Sequence, residues 1–114
     1  MGLFSKKPKV QTITTTLTGN TAKGRQESLT ELLQSHDDLI AWLDIRNSAV
    51  SISVGPKRHK CIGIVDSKIT RDLIAKYEKS NGLACDITIG QNYKVSKSGD
   101  GNLTCTVTLT VTPE

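Results

Sequence analysis

Polar and apolar residues alternate most regularly near the end of the chain, where Leu103, Cys105, Val107, Leu109 and Val111 interleave with threonines. That period of two marks a strand with one face in the core. Similar alternation, with much β-branched content, runs over Val10 to Thr18, where Ile13, Thr15 and Leu17 share a face, and over Ala49 to Val54, where Val50, Ile52 and Val54 oppose Ser51 and Ser53. Leu39 to Ile45, Cys61 to Val65 and Leu83 to Ile89 are denser apolar runs of strand length. Arg46-Asn47-Ser48 makes a hairpin of the second and third strands. Gly63 inside a strand predicts a bulge or a close backbone approach. Two segments follow helical spacing instead. Arg25 to Ser35 places Leu29, Leu32 and Leu33 on one face, and Ile69, Leu73, Ile74 and Tyr77 do the same after a cap at Asp66 or Ser67, with Asn81-Gly82 as a left-handed stop. The stretch Gly90 to Gly101 reads as a loop, and Trp42 as a core residue.

The predicted order is β-α-β-β-β-α-β-β. Six short strands in 114 residues leave exposed edges if the sheet stays open, so the expected fold is α+β, a small six-stranded, partly closed β-barrel with two helices plugging or flanking it. Residues 1–9, with Lys6, Lys7, Pro8 and Lys9, read as a basic arm, and residues 10–112 as one domain.

Chemistry is sparse. Cys61, Cys85 and Cys105 are widely spaced, odd in number and set in apolar or strand-like stretches, the pattern of free thiols in a reducing compartment. No apolar run reaches the ~18 residues of a membrane helix, and the first residues lack the apolar region of a signal peptide, so a cytoplasmic protein without membrane contact is expected. His59 and Cys61 are two apart on a strand and would share a face, but no third group completes a catalytic or metal set. Asp37-Asp38 read as loop residues. Glycine-rich phosphate loops are absent. The chain is therefore expected to be non-catalytic, with no metal and no cofactor.

The charge is +4, from 15 basic and 11 acidic residues. Lys57, Arg58, His59 and Lys60 crowd one turn, Lys23 and Arg25 flank another loop, and Lys94 and Lys97 follow Tyr93 in the last. Gathered on one rim, such loops would read phosphate, with one aromatic for stacking.

From Thr18 onward the chain resembles the HIRAN and HIRAN-like domains, small barrels of DNA-remodelling helicases and stand-alone bacterial proteins. The likeness is carried by Thr18-Gly19, Gly24-Arg25-Gln26, Asp44-Ile45-Arg46-Asn47-Ser48-Ala49-Val50 and Cys61-Ile62-Gly63-Ile64-Val65. It implies a DNA-binding module. Where the family's end-gripping members carry an aromatic pair, this chain has Ala22 and Lys23, so the resemblance implies general contact with single-stranded DNA or DNA ends. The expected nucleic-acid-binding set is Lys23, Arg25, Arg46, Lys57, Arg58, Lys60, Tyr93 and Lys94. The competing expectation is a protein-interaction or structural domain, with a protein partner in a larger assembly.

Overall fold

The computed structural model describes residues 9–44, 48–55, 60–80 and 82–114. Its elements are β1 (Gln11–Thr16), α1 (Lys23–Ser35), β2 (Leu39–Asp44), β3 (Ala49–Val54), β4 (Lys60–Ile64), α2 (Ser67–Tyr77), β5 (Glu78–Lys79), β6 (Gly82–Leu83), β7 (Cys85–Gly90), β8 (Tyr93–Lys97) and β9 (Leu103–Pro113). β5 and β6 form a separate two-stranded hairpin. The main sheet runs β1-β9-β7-β2-β3-β4, and β8 joins it on β9.

This antiparallel sheet curls into a half-barrel, the α+β, partly closed architecture expected from the alternation. Its end strands meet at one point. There Thr18 and Ile64 exchange backbone hydrogen bonds in both directions, each 2.9 Å. Gly63 makes the meeting possible: a Cβ built on it would lie 2.9 Å from the Thr18 carbonyl oxygen and 3.0 Å from Leu17 Cβ. The neighbouring ladder also slips between Ile52 and Ser53, so β4 bulges at Ile62. Both readings of Gly63 therefore apply.

The core follows the alternation closely. Cys105, Val107, Leu109 and Val111 are fully buried, as are Val50, Ile52 and Ile62. Leu29 and Leu32 of α1 complete the larger cluster, whereas Leu33 points outward. Leu73 and Tyr77 of α2 pack with Cys85 and Val111 in a second cluster.

Several details depart from the sequence reading. The stretch after Gly90 is not all loop, because β8 pairs with β9 from Tyr93↔Val107 to Lys97↔Leu103. Gly90, at φ +57°, and the residues to Asn92 form a wide bulge between β7 and β8, which track the same edge of β9. α2 ends at Tyr77 and passes into extended backbone at Glu78 rather than a left-handed stop. Asn81 lies outside the described residues, and Gly82 belongs to β6. Asp66 is the cap, its carboxylate accepting the Lys68 N–H at 2.9 Å. Trp42 is half-buried on the outer face, opposite Ser51, because Ala41 and Leu43 take the inward positions opposite Ile52 and Val50.

Candidate nucleic-acid interface

Arg46, Lys57 and Arg58 of the expected set lie outside the described residues, as does His59. The strand ends that flank them are described. Asp44↔Ala49 is the described pair nearest Arg46 in sequence, and Val54↔Lys60 the one nearest Lys57 and Arg58. These pairs stand at opposite ends of β3, about 17 Å apart at the rise of an extended strand. The described members of the expected set are Lys23, Arg25, Lys60, Tyr93 and Lys94.

α1 organises the other end. Lys60 donates from Nζ to Glu31 Oε2 across the gap between β4 and α1, both side chains being exposed. A cavity of about 200 Å³ beside this pair is lined by Ser28, Glu31, Ser35, Asp37, Gly55 and Lys60. On the other flank of the helix, Lys94 lies beside His36, Leu33 and Val95. Lys23 is the first residue of α1, where the loop after β1 ends. A 13-residue helix puts its two ends about 20 Å apart, so Lys23 and Lys94 do not meet. Acidic groups interrupt the field, since Glu27, Glu31, Asp37 and Asp38 are all exposed along the same helix and its exit.

Two members of the set are tied into the fold. Arg25 donates from Nη1 to the Gly19 carbonyl. The Tyr93 hydroxyl donates to the Asp37 carbonyl at 2.8 Å while its ring packs against the core. Burial, then the nearby Cys105, Asp37 and Asp38, raises the Tyr93 phenol above its ordinary pKa.

Sequence reasoning missed Gln26. Its amide nitrogen donates to the carbonyls of Asn20 (2.7 Å) and Leu103 (2.9 Å), and its amide oxygen accepts the Leu103 N–H at 2.8 Å. β1 has by then left β9 for β4, so a side chain stands in for a strand partner. The segments Thr18-Gly19, Gly24-Arg25-Gln26 and Cys61 to Val65 converge here, around the bridge that closes the sheet. Their local role is structural.

Cys61 is half-buried, and its Sγ lies 3.5 Å from the Gly63 carbonyl oxygen. Among the described residues no three His, Cys, Asp or Glu side chains form a group able to hold a metal. No described helix is long and apolar enough to cross a membrane.

Charge is distributed unevenly. Lys6, Lys7, Arg46, Lys57 and Arg58 lie outside the described residues, and taking these five from fifteen basic residues leaves ten against eleven acidic. Compared with protein families, curated proteins and solved structures, the chain finds no match in any of the three.

Proposed function

We propose that this domain is a non-catalytic nucleic-acid-binding module, of the HIRAN-like kind that its sequence resembles. The observation that supports the reading is the run Lys57-Arg58-His59-Lys60, four consecutive basic-type side chains in a chain of net charge +4. Lys57 and Arg58 would make the principal phosphate contacts, with Lys60 and Lys94 on either side of α1. Arg25 and Tyr93 support the fold beneath them. With Tyr93 engaged, base stacking contributes little, and binding is mainly electrostatic, hence weak and steeply dependent on salt.

The test is a titration of single-stranded, 3′-tailed and circular DNA at several salt concentrations. The expected result is measurable binding at low salt that falls as counterions are released, and its loss in Lys57→Glu/Arg58→Glu with an unchanged melting temperature. Absence of binding to all three at low salt overturns the reading.

A second reading, a protein-interaction domain, is favoured by a different surface. Across β1 and β9, Thr12, Thr14 and Thr16 lie opposite Thr110, Thr108 and Thr106, and Thr88 of β7 extends the first row. Thr14 pairs with Thr108 at 3.1 Å and Thr16 with Thr106 at 3.0 Å between hydroxyl oxygens. This face carries charge only at its margins, at Lys94 opposite Thr106 and Asp86 opposite Thr112, and suits a protein partner bound with little salt dependence. A salt-insensitive partner lost in Thr14→Lys but retained in Lys57→Glu/Arg58→Glu would favour this reading over the first.

A further inference from the structure

Among neighbouring strands of the main sheet, β2 and β7 share the fewest pairs. Only Leu39↔Gly90 and Ile40↔Thr88 join these strands, and the register breaks between the two pairs. Beyond them lies a cleft of about 360 Å³, lined by Ala41, Leu43, Leu83, Cys85, Asp86 and Ile87. Ala41, Leu43, Leu83 and Ile87 also pack against the two buried clusters, so the cleft opens directly onto the core. An apolar slot between two strand edges is a template for one more extended segment.

The rim is acidic. Asp86 lines the cleft and is exposed, Glu78 stands opposite Leu83, and the Glu114 N–H is bonded to the Ala84 carbonyl at 3.1 Å. Lys79, opposite Gly82, is the nearest cation on that hairpin. A fitting occupant therefore has apolar side chains followed by positive charge.

The chain carries such a segment in Leu3-Phe4-Ser5-Lys6-Lys7, ahead of the described residues. Its attachment point is close. Gln11 lies opposite Val111, and Val111 lies opposite Ile87 on the wall of the cleft. Two strand spacings are about 10 Å, whereas the stretch from Leu3 to Gln11 can span up to about 27 Å when extended.

We propose that the β2–β7 cleft is the docking site of the chain's own first residues, with Leu3 and Phe4 filling the slot and Lys6 and Lys7 facing the carboxylates on its rim. Docking covers the short β2–β7 seam. The proposal makes no use of Lys57 or Arg58 and its test contains no nucleic acid, so it and the nucleic-acid reading stand or fall separately.

Cys85 provides a reporter inside the cleft, and Cys61, on β4, provides a reference outside it. The experiment is maleimide labelling of the full chain without nucleic acid, resolved by cysteine with mass spectrometry, for wild type and Leu3→Ser/Phe4→Ser. The serines leave the charge unchanged, and both positions precede the described core. The expected result is Cys85 labelling several-fold faster in the variant, with Cys61 labelling at the same rate in both and the wild-type protection independent of protein concentration. Equal Cys85 rates overturn the proposal. So does protection that fades on dilution, which would assign the occupant to a second copy.

Discussion

At Gly63 the absence of one methyl group lets β1 reach β4. Gly63→Ala pushes a Cβ to 2.9 Å from a backbone oxygen that cannot rotate away, and overpacking of this kind costs about 1 to 3 kcal/mol. Gly24→Ala has the opposite expectation. Nothing lies within 4 Å of its added Cβ, and the position is helical, so a gain of about 0.4 to 1 kcal/mol follows from the stiffer unfolded chain. Urea denaturation of the two variants checks both signs. Cys105 links stability to alkaline pH. Its thiol is 0% exposed, and burial raises its pKa from 9.0 to about 12. The unfolded chain releases this proton near pH 9 while the folded chain retains it, so the folded state binds more protons and stability falls as pH rises from about 9 to 12. Below that window the contribution is fully present. Melting temperatures across it should decline less steeply in Cys105→Ala than in wild type, after allowing for the variant's lower starting value.

Among the elements, β9 is the spine, pairing with β1 on one edge and with β7 and β8 on the other. Leu109→Ala should cost about 2 to 5 kcal/mol. Thr108→Ala should cost under about 1 kcal/mol, because that side chain is outward and its loss removes one hydroxyl pair with Thr14. Equal losses at the two positions, measured by chemical denaturation, would mean that both faces of β9 are covered. This strand was legible because five consecutive odd positions are apolar. β8 was hidden because Tyr93-Lys94-Val95-Ser96-Lys97 has two apolar positions and is bounded by residues typical of turns. The position of Trp42 depended on a one-residue choice of register in an unbroken apolar run, where alternation gives no guidance. The Gln26 contact was not legible in principle. It joins positions 77 apart through a side chain that looks like any exposed helix residue until the closing of the sheet brings Leu103 to it. Of the candidate interface, the local clusters of cations were readable, but the separation of Lys23 from Lys94 along α1 follows from topology alone.

For the whole molecule, the balance of charge around α1 determines how any polyanion is met. The helix carries Glu27 and Glu31 on its exposed side, with Asp37 and Asp38 at its exit, between Lys23 at one end and Lys94 beside the other. A nucleic acid approaching Lys60 or Lys94 would meet these carboxylates at close range, and Lys60 would have to leave Glu31 to reach a phosphate. Neutralising the acids should therefore strengthen binding. A unit charge about 4 Å away in water is worth roughly 1 kcal/mol, so Glu27→Gln/Glu31→Gln should raise affinity for single-stranded DNA by up to about tenfold in low salt. The gain should shrink as the Debye length falls to about 8 Å at physiological ionic strength. Exposed pairs such as Lys60 with Glu31 contribute at most about 1 kcal/mol to stability, so the double variant should melt within a few degrees of wild type. Fluorescence titrations at two salt concentrations, paired with melting curves, would measure both. Unchanged affinity at low salt would place the bound strand away from α1.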